Sequence, residues 1–534
     1  KMSKGGLLKN KNINLIGIFM LWILTIIYLV LHHALWRDEV RNFMIGIGAT
    51  SRIHIIGNPH PFLVYKIEQL LYWITDSYYV LPASSLFISL CSVILLLFFS
   101  PFNFRLKALI LFGYPMLYEY TVMDRNYGIS ALLMLLLACC FSTDKYKYIF
   151  SGPILFLLAN TNVHSALIVG GFSVLWPLSI WYENGKKWSE DSKKACLNSF
   201  LGIAGFIACF MTVYPTRYDL AAAHPVEMTV KHHFRFFKHL TFFGCKDYLS
   251  DVFGHHLFGK IVYLVLEAVA YAAILFSSLV LWGDAFLFSV AALSLIGFSA
   301  FFSIVYQGGY RHEALWLMLV VALLWIKKNT DKEPAGNVLN KIGSVSFYTI
   351  LTIQVILSGL LAFHEVHKPN SMSKQFVDFI NKDEILKNSP ILSSMDYNLE
   401  AIPYYTKRPV FMMTLNDYDV VVPYKNKLDY NLDDLLKTAQ KLAVCSKSPP
   451  LILIANDKEK AGSSVLNIMD ENAEKSVRNY MYNYWTFTVT SEQKKRFLEN
   501  TREIARYPNG YLEQGFIVYQ LNVVRAEQSD CRSK

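Results

Sequence analysis

Long apolar runs broken by short polar stretches recur from Leu15 to Phe363, and from about His364 the pattern changes to brief alternations of charged and apolar residues. Runs of roughly 20 apolar residues predict membrane-spanning helices, whereas the later part has no run of that length and predicts a soluble domain of about 170 residues. The expected fold class is therefore an α-helical polytopic membrane protein over residues 1–364, of about eleven spans. A C-terminal soluble α/β domain is expected over 365–534.

Lysines place the spans. Lys1, Lys4, Lys9 and Lys11 precede the first run, Leu15 to about Ala34, which puts the N-terminus in the cytoplasm and the following HALWRDEV stretch outside. No small-residue cleavage site follows this run, so it is expected to stay as an anchor. Val40, Phe43, Met44 and Ile47 then repeat at helical spacing, predicting a short helix on the membrane surface. GNPHPFLVYKIEQLLYWIT starts like a helix at Pro61 but is interrupted by Lys66, Glu68 and Gln69, and is also assigned to the surface. Parity supports this: the span Leu81 to Phe99 then runs inward, and Arg105 and Lys107 fall in the cytoplasm.

Alternation continues through spans at Ala108–Tyr120, Tyr127–Phe141, Tyr148–Ala159, Ala166–Trp181, Leu197–Tyr214, Ile261–Leu281, Phe286–Tyr306, Ala314–Ile326 and Phe347–Phe363. Lys145, Lys147, Lys186, Lys187, Lys327 and Lys328 all fall inside, and the tail falls outside. The shorter spans carry their polar residues at the outer end, which predicts a water-filled cavity sunk into the outer leaflet. The cytoplasmic loops are brief and hold no glycine-rich phosphate loop.

Composition agrees. The 534 residues are 53% hydrophobic and 15% aromatic, with mean hydropathy +0.30. In such a chain the net charge of +10 reflects cytoplasmic lysines and contact with anionic membrane lipids, and no nucleic acid is expected as a partner. Cys91, Cys139, Cys140, Cys196 and Cys209 read as small core residues, whereas Cys445 and Cys531 lie in the tail and pair if it faces an oxidising compartment. No Asn-x-Ser/Thr acceptor occurs, which favours a bacterial membrane.

The candidate chemistry sits on the outer face. Asp38 and Glu39 suit a helix N-terminus, or the work of a general base for an acceptor hydroxyl. In YEYTVMDRNYGI, Arg125 suits a phosphate and Asp124, with Asn126, a sugar, against the plainer reading of a solvated turn. His164 stands alone at a span end. Arg311 and His312 open a short span after Gly308 and Gly309, which would let the backbone approach a ligand closely; simple interfacial anchoring is the alternative. VKHHFRFFKHLTFFG reads as a basic, aromatic helix for lipid headgroups, and its histidines match no standard metal spacing.

WRDE after the first span, His60-Pro61 some twenty residues on, Arg125-Asn126-Tyr127 and a late Arg311-His312 together resemble the GT-C superfamily of polytopic glycosyltransferases. The likeness is to bacterial members related to the protein-mannosyltransferase and lipid A aminoarabinose-transferase group, and it covers Leu15 to Phe363. It implies a polyprenyl-phosphate sugar donor and a glycan or glycolipid acceptor such as O-antigen. It also implies transfer with inversion outside the cytoplasmic (bacterial inner) membrane, and surface helices in the first external loop. Asp38 matches the catalytic carboxylate of that loop, with Glu39 as partner or substitute; Arg37, His60, Asp124, Arg125, Asn126, His164, Arg311 and His312 become donor-side candidates. Some members use a divalent metal, for which this chain adds no clear extra ligands.

Within the tail, a helix at Phe376–Ile380, PILSSMD, PVFMMTL, a helix at Leu432–Leu442 and the apolar run Leu451–Ala455 predict alternating strands and helices capping the cavity. Tyr480, Tyr482, Tyr484 and Trp485 suit either sugar stacking or a packed core. The rival reading of the whole chain is a transporter or flippase of lipid-linked glycans. Such proteins usually carry internal repeats and midplane charges, neither of which is visible here.

Overall fold

The computed structural model describes residues 4–50, 52, 60–213, 257–305, 308–330, 337–423, 428–446, 448–456, 464–467, 475–480 and 485–522. The basic aromatic stretch 230–244 and Cys531 lie outside them.

The first part is helical. In chain order it comprises α1 (Lys4–His32), α2 (Arg37–Gly46), α3 (Leu63–Thr75), α4 (Val80–Ile94), α5 (Phe104–Leu111), α6 (Tyr127–Phe141), α7 (Asp144–Ala159), α8 (Val163–Glu183), α9 (Glu190–Val213), α10 (Leu257–Ser277), α11 (Ala285–Ile304), α12 (Tyr310–Asn329) and α13 (Val338–His367). Among the described residues six stretches are long and apolar enough to cross a membrane: Ile13–His32, Val80–Phe99, Val163–Glu183, Glu190–Val213, Ala285–Ile304 and Val338–His367. Tyr127–Phe141 and Ala268–Leu281 are shorter apolar helices. The protein is thus a helical, multi-pass membrane protein, with six full-length candidate spans where the sequence suggested about eleven.

The difference has local causes. The expected span Ala108–Tyr120 is broken: α5 stops at Leu111, and the chain restarts in a single π turn at Pro115–Glu119. Pro115 has no N–H to give and its ring blocks continuation of the preceding helix. By contrast α12 is long but surrounded by protein, with every residue from His312 to Lys327 buried. A helix covered on all sides needs no uniformly lipid-like surface. At its foot Lys327 is not a loose loop charge: its Nζ donates to the carbonyls of Val280 and Trp282, both at 2.9 Å. Lys107 likewise donates to the Leu97 carbonyl at 2.6 Å.

α3 has two unlike faces. Tyr65 and Glu68 are buried, while Leu70, Trp73 and Ile74 are exposed, which is the division of an interfacial helix with an aromatic anchor. α2 departs from expectation. Its apolar residues Val40, Phe43 and Met44 pack with Val80, Leu81, Ala401, Tyr404 and Val421, so protein, much of it from the tail, covers the side expected to face lipid.

The tail is a mixed unit of small sheets and helices. β1 (Ile391–Ser393), β5 (Leu451–Ala455), β9 (Phe516–Leu521) and β8 (Thr501–Tyr507) form one sheet in that order, with β1 parallel to β5 and the other pairs antiparallel. β2 (Val410–Met412) pairs with β3 (Asp417–Asp419); β4 (Leu428–Asn431), β7 (Trp485–Thr490) and β6 (Lys475–Tyr480) form a third sheet. β5 is a continuous apolar run because both its faces are covered: Ile452 and Ile454 meet the helix Leu432–Cys445, and Leu451 and Leu453 meet Phe376 and Val377. Trp485 belongs to this core; Tyr482 and Tyr484 lie outside the described residues.

Candidate active site

α1 ends at His32 and α2 starts after Trp36, so Asp38 and Glu39 fall in the first turn of a helix, where carboxylates offset the exposed N–H groups. Successive residues on a 3.6-residue helix point about 100° apart, and the two acids face different surroundings.

Asp38 is partly exposed, its side chain 30% accessible. One carboxylate oxygen is 2.9 Å from Arg125 and 3.9 Å from Arg311, and the other is 3.6 Å from the Nε of Arg37. Burial alone would raise its pKa, but the guanidiniums of Arg125, Arg37 and Arg311 outweigh it and hold the carboxyl well below the usual carboxylate range. Trp36 supports the cluster: the guanidinium carbons of Arg311 and Arg125 lie 5.1 and 5.9 Å from its ring centre.

Glu39 turns inward and has no exposure. It accepts from the backbone N–H of Trp36 at 3.0 Å and of Asp124 at 2.7 Å, and sits 3.0 Å from Nε2 of His33. The other ring nitrogen of His33 meets Glu365 at 2.9 Å, and Tyr118 also donates to Glu365. Glu39 is therefore a joint that fixes α2 against the Asp124 loop and α13. The sequence could not separate it from Asp38, because the two differ only in the direction in which they project.

Next to Arg125 is a hollow just large enough for a water molecule, lined by Asn42, His60, Tyr65, Glu68 and Asp124. Burial, and then the charge of Arg125, pulls the His60 imidazole down to about 3, so the ring is neutral at pH 7. Glu68 is pushed up to about 8 by burial. Burial and then the neighbouring Glu39 charge also raise Asp124. Both acids are kept near their neutral forms in this interior, so Asp124 is a buried neighbour of the Asp38 cluster rather than a free carboxylate. Asn126 donates to the Thr161 carbonyl at 2.7 Å and so ties the start of α6 to the turn between α7 and α8.

His164 and His312 come together from separate helices, their rings 4.6 Å apart, with Phe298, Phe301 and Phe302 around His164. His312 accepts from the Gly309 N–H at 2.8 Å, a helix-start contact. The close approach at Gly308 is to protein: a Cβ there would lie 2.5 Å from the Phe302 ring. Steric room for Phe302, rather than for a ligand, explains that glycine.

No protein-family model, no curated protein and no solved structure matches this chain. The site must therefore be read from its own chemistry. Among the described residues no group of three or more His, Cys, Asp and Glu is arranged to hold a metal ion. The one half-open carboxylate is instead ringed by guanidiniums, which repel a cation. The described residues around Asp38 therefore do not fit a metal ion.

The tail supplies groups that local sequence patterns could not reveal. Glu513 accepts from the backbone N–H of Arg37 at 2.7 Å, and the Arg37 guanidinium lies 4.9 Å from the centre of the Tyr397 ring. Arg41 of α2 pairs with the buried Glu400 and donates to the Val422 carbonyl at 2.7 Å. These partners stand hundreds of positions away in the chain, so only the folded structure shows them.

Proposed function

We propose that this protein is a membrane glycosyltransferase that moves a sugar from a polyprenyl-phosphate donor to a surface glycan or glycolipid. The observation that carries this reading is the excess of positive charge around Asp38: three guanidiniums face one carboxylate. Such a site can take up a further anion, and a lipid phosphate supplies one in bidentate, charge-assisted contacts.

In this scheme Arg125 and Arg311 hold the donor phosphate. The acceptor hydroxyl attacks the anomeric carbon from the opposite face, giving inversion. Its proton goes to Asp38 as the new C–O bond forms. The bond from the anomeric carbon to the phosphate oxygen breaks, and its electron pair leaves with polyprenyl phosphate, stabilised by the same guanidiniums. The low pKa of Asp38 makes it a weak base while the arginines serve it alone. Donor phosphate draws off part of their field, so its basicity rises once the donor is bound.

Support for an extracytoplasmic site comes from Cys445, which is disulfide-bonded, a state that persists in oxidising compartments. Nucleotide sugars are absent there, which is why a donor carried within the bilayer is required. The deciding test is mass spectrometry of surface glycans from cells lacking the gene, complemented with the wild-type chain or with Asp38→Asn. A sugar restored by the first and not by the second supports the reading. Restoration by both removes Asp38 from the chemistry, and no glycan difference at all overturns the proposal.

A further inference from the structure

At the opposite end of α2 lies a cavity of about 370 Å³ that the scheme above does not use. It opens between the end of α2, the surface helix α3 and the tail, and its lining includes Gly48, Tyr72, Tyr78, Lys407 and Arg408. Its size is within the range of small-molecule sites.

Two features mark it as a binding site rather than a seam. The first is aromatic: Tyr72 and Tyr78 are held by Phe43, with ring centres 6.2 and 5.5 Å away, and Tyr78 is tied to the tail where Tyr404 donates to its carbonyl at 3.0 Å. Both tyrosines are half-buried, so part of each ring stays available. The second is charge. Lys407 stands 3.6 Å over the Tyr78 ring, and Arg408 has an Nη2 that is buried with no acceptor. Among the described residues neither cation has a carboxylate partner, because the nearby Asp417 and Asp419 are taken by Arg52. Fixed aromatic faces beside uncompensated cations suit a sugar ring carrying an anionic substituent.

We propose that this cavity binds an acidic saccharide, a unit of the acceptor glycan bearing a carboxylate or phosphate. Ile47 at its edge is nine positions from Asp38, about 14 Å along a helix, the reach of a short oligosaccharide. That the bound saccharide is the acceptor rests on the transferase reading; that the cavity binds it does not.

The test is a direct binding titration of the purified full-length protein in detergent, with trigalacturonic acid, maltotriose, glucose 6-phosphate and inorganic phosphate as probes. An acidic sugar should bind at least about tenfold more tightly than maltotriose, and the better of the two acidic sugars identifies the anion. Lys407→Gln with Arg408→Gln should remove that preference with an unchanged melting curve, and Tyr78→Leu should weaken acidic and neutral sugars alike. Equal binding of neutral and acidic sugars, no effect of the double variant, or inorganic phosphate binding as tightly as either acidic sugar would each overturn the proposal, the last reducing the site to a simple anion trap. Loss of glycan transfer in Asp38→Asn with saccharide binding intact upholds both readings. Binding intact in a protein that transfers nothing separates their fates.

Discussion

The two ends of α2 differ in how their cations are compensated. At its start Arg37, Arg125 and Arg311 converge on Asp38; at its finish, among the described residues, Lys407 and Arg408 flank tyrosines without a carboxylate in ion-pair contact. A carboxylate amid guanidiniums is tuned and can exchange partners when another anion arrives, which is the behaviour of a reaction centre. Cations set against aromatic faces without a carboxylate paired to them can hold an anion, which is the behaviour of a recognition site.

The sharpest way to break this contrast is Asp38→Asn. It should lower transfer per folded molecule by about 10²- to 10⁴-fold, measured on purified protein with radiolabelled donor, with only the modest fall in melting temperature that losing a partly exposed ion-pair partner brings. A comparable loss of stability would make Asp38 a structural ion-pair partner instead. Next in size, Arg125→Ala should cost transfer about 10²- to 10³-fold. Arg311→Ala should cost less, since its nitrogen stands 3.9 Å from Asp38 against 2.9 Å for Arg125. Equal effects would argue that the two arginines share the phosphate evenly.

Glu39→Gln reverses the pattern expected for Asp38. It leaves a buried joint half satisfied, so it should lower stability by about 1–3 kcal/mol in denaturant titration while transfer per folded molecule stays near normal. A further difference is the pH effect at Glu68. Its folded pKa is raised to about 8, so the native state holds a proton that the unfolded chain releases near pH 4.3. Stability therefore declines as pH rises from there towards 8. Glu68→Gln should raise the melting temperature at pH 8.5 and leave it unchanged at pH 4. Asp38 has the opposite sign: its folded pKa is depressed, so its contribution is present above the unfolded value near 3.9 and fades only as pH falls below that.

Hydropathy made the membrane character legible, and all six full-length stretches fall on runs that the apolar pattern marks. Tail elements with strong local patterns, such as the Leu432–Cys445 helix and the Leu451–Ala455 strand, were also readable. Strands such as Thr501–Tyr507 escaped, because only its first residue is buried and the rest carry mixed, partly exposed side chains. In the site, residue types pointed to Asp38, Arg125 and Arg311, yet nothing in the chain says which of two adjacent acids looks outward. The partners Tyr397 and Glu513 carry no local signal at all, since their role arises from contact across the whole sequence.

The Arg37 to Glu513 contact also sets an order of events. The two residues are 476 positions apart, so at ~5–20 residues per second roughly 25 to 95 s of translation separate them. Through that interval α2 waits at the bilayer without the side chains that later enclose it. If the transferase reading holds, the surroundings of Asp38 are complete only once the last strands dock, and truncated or stalled chains should be inactive.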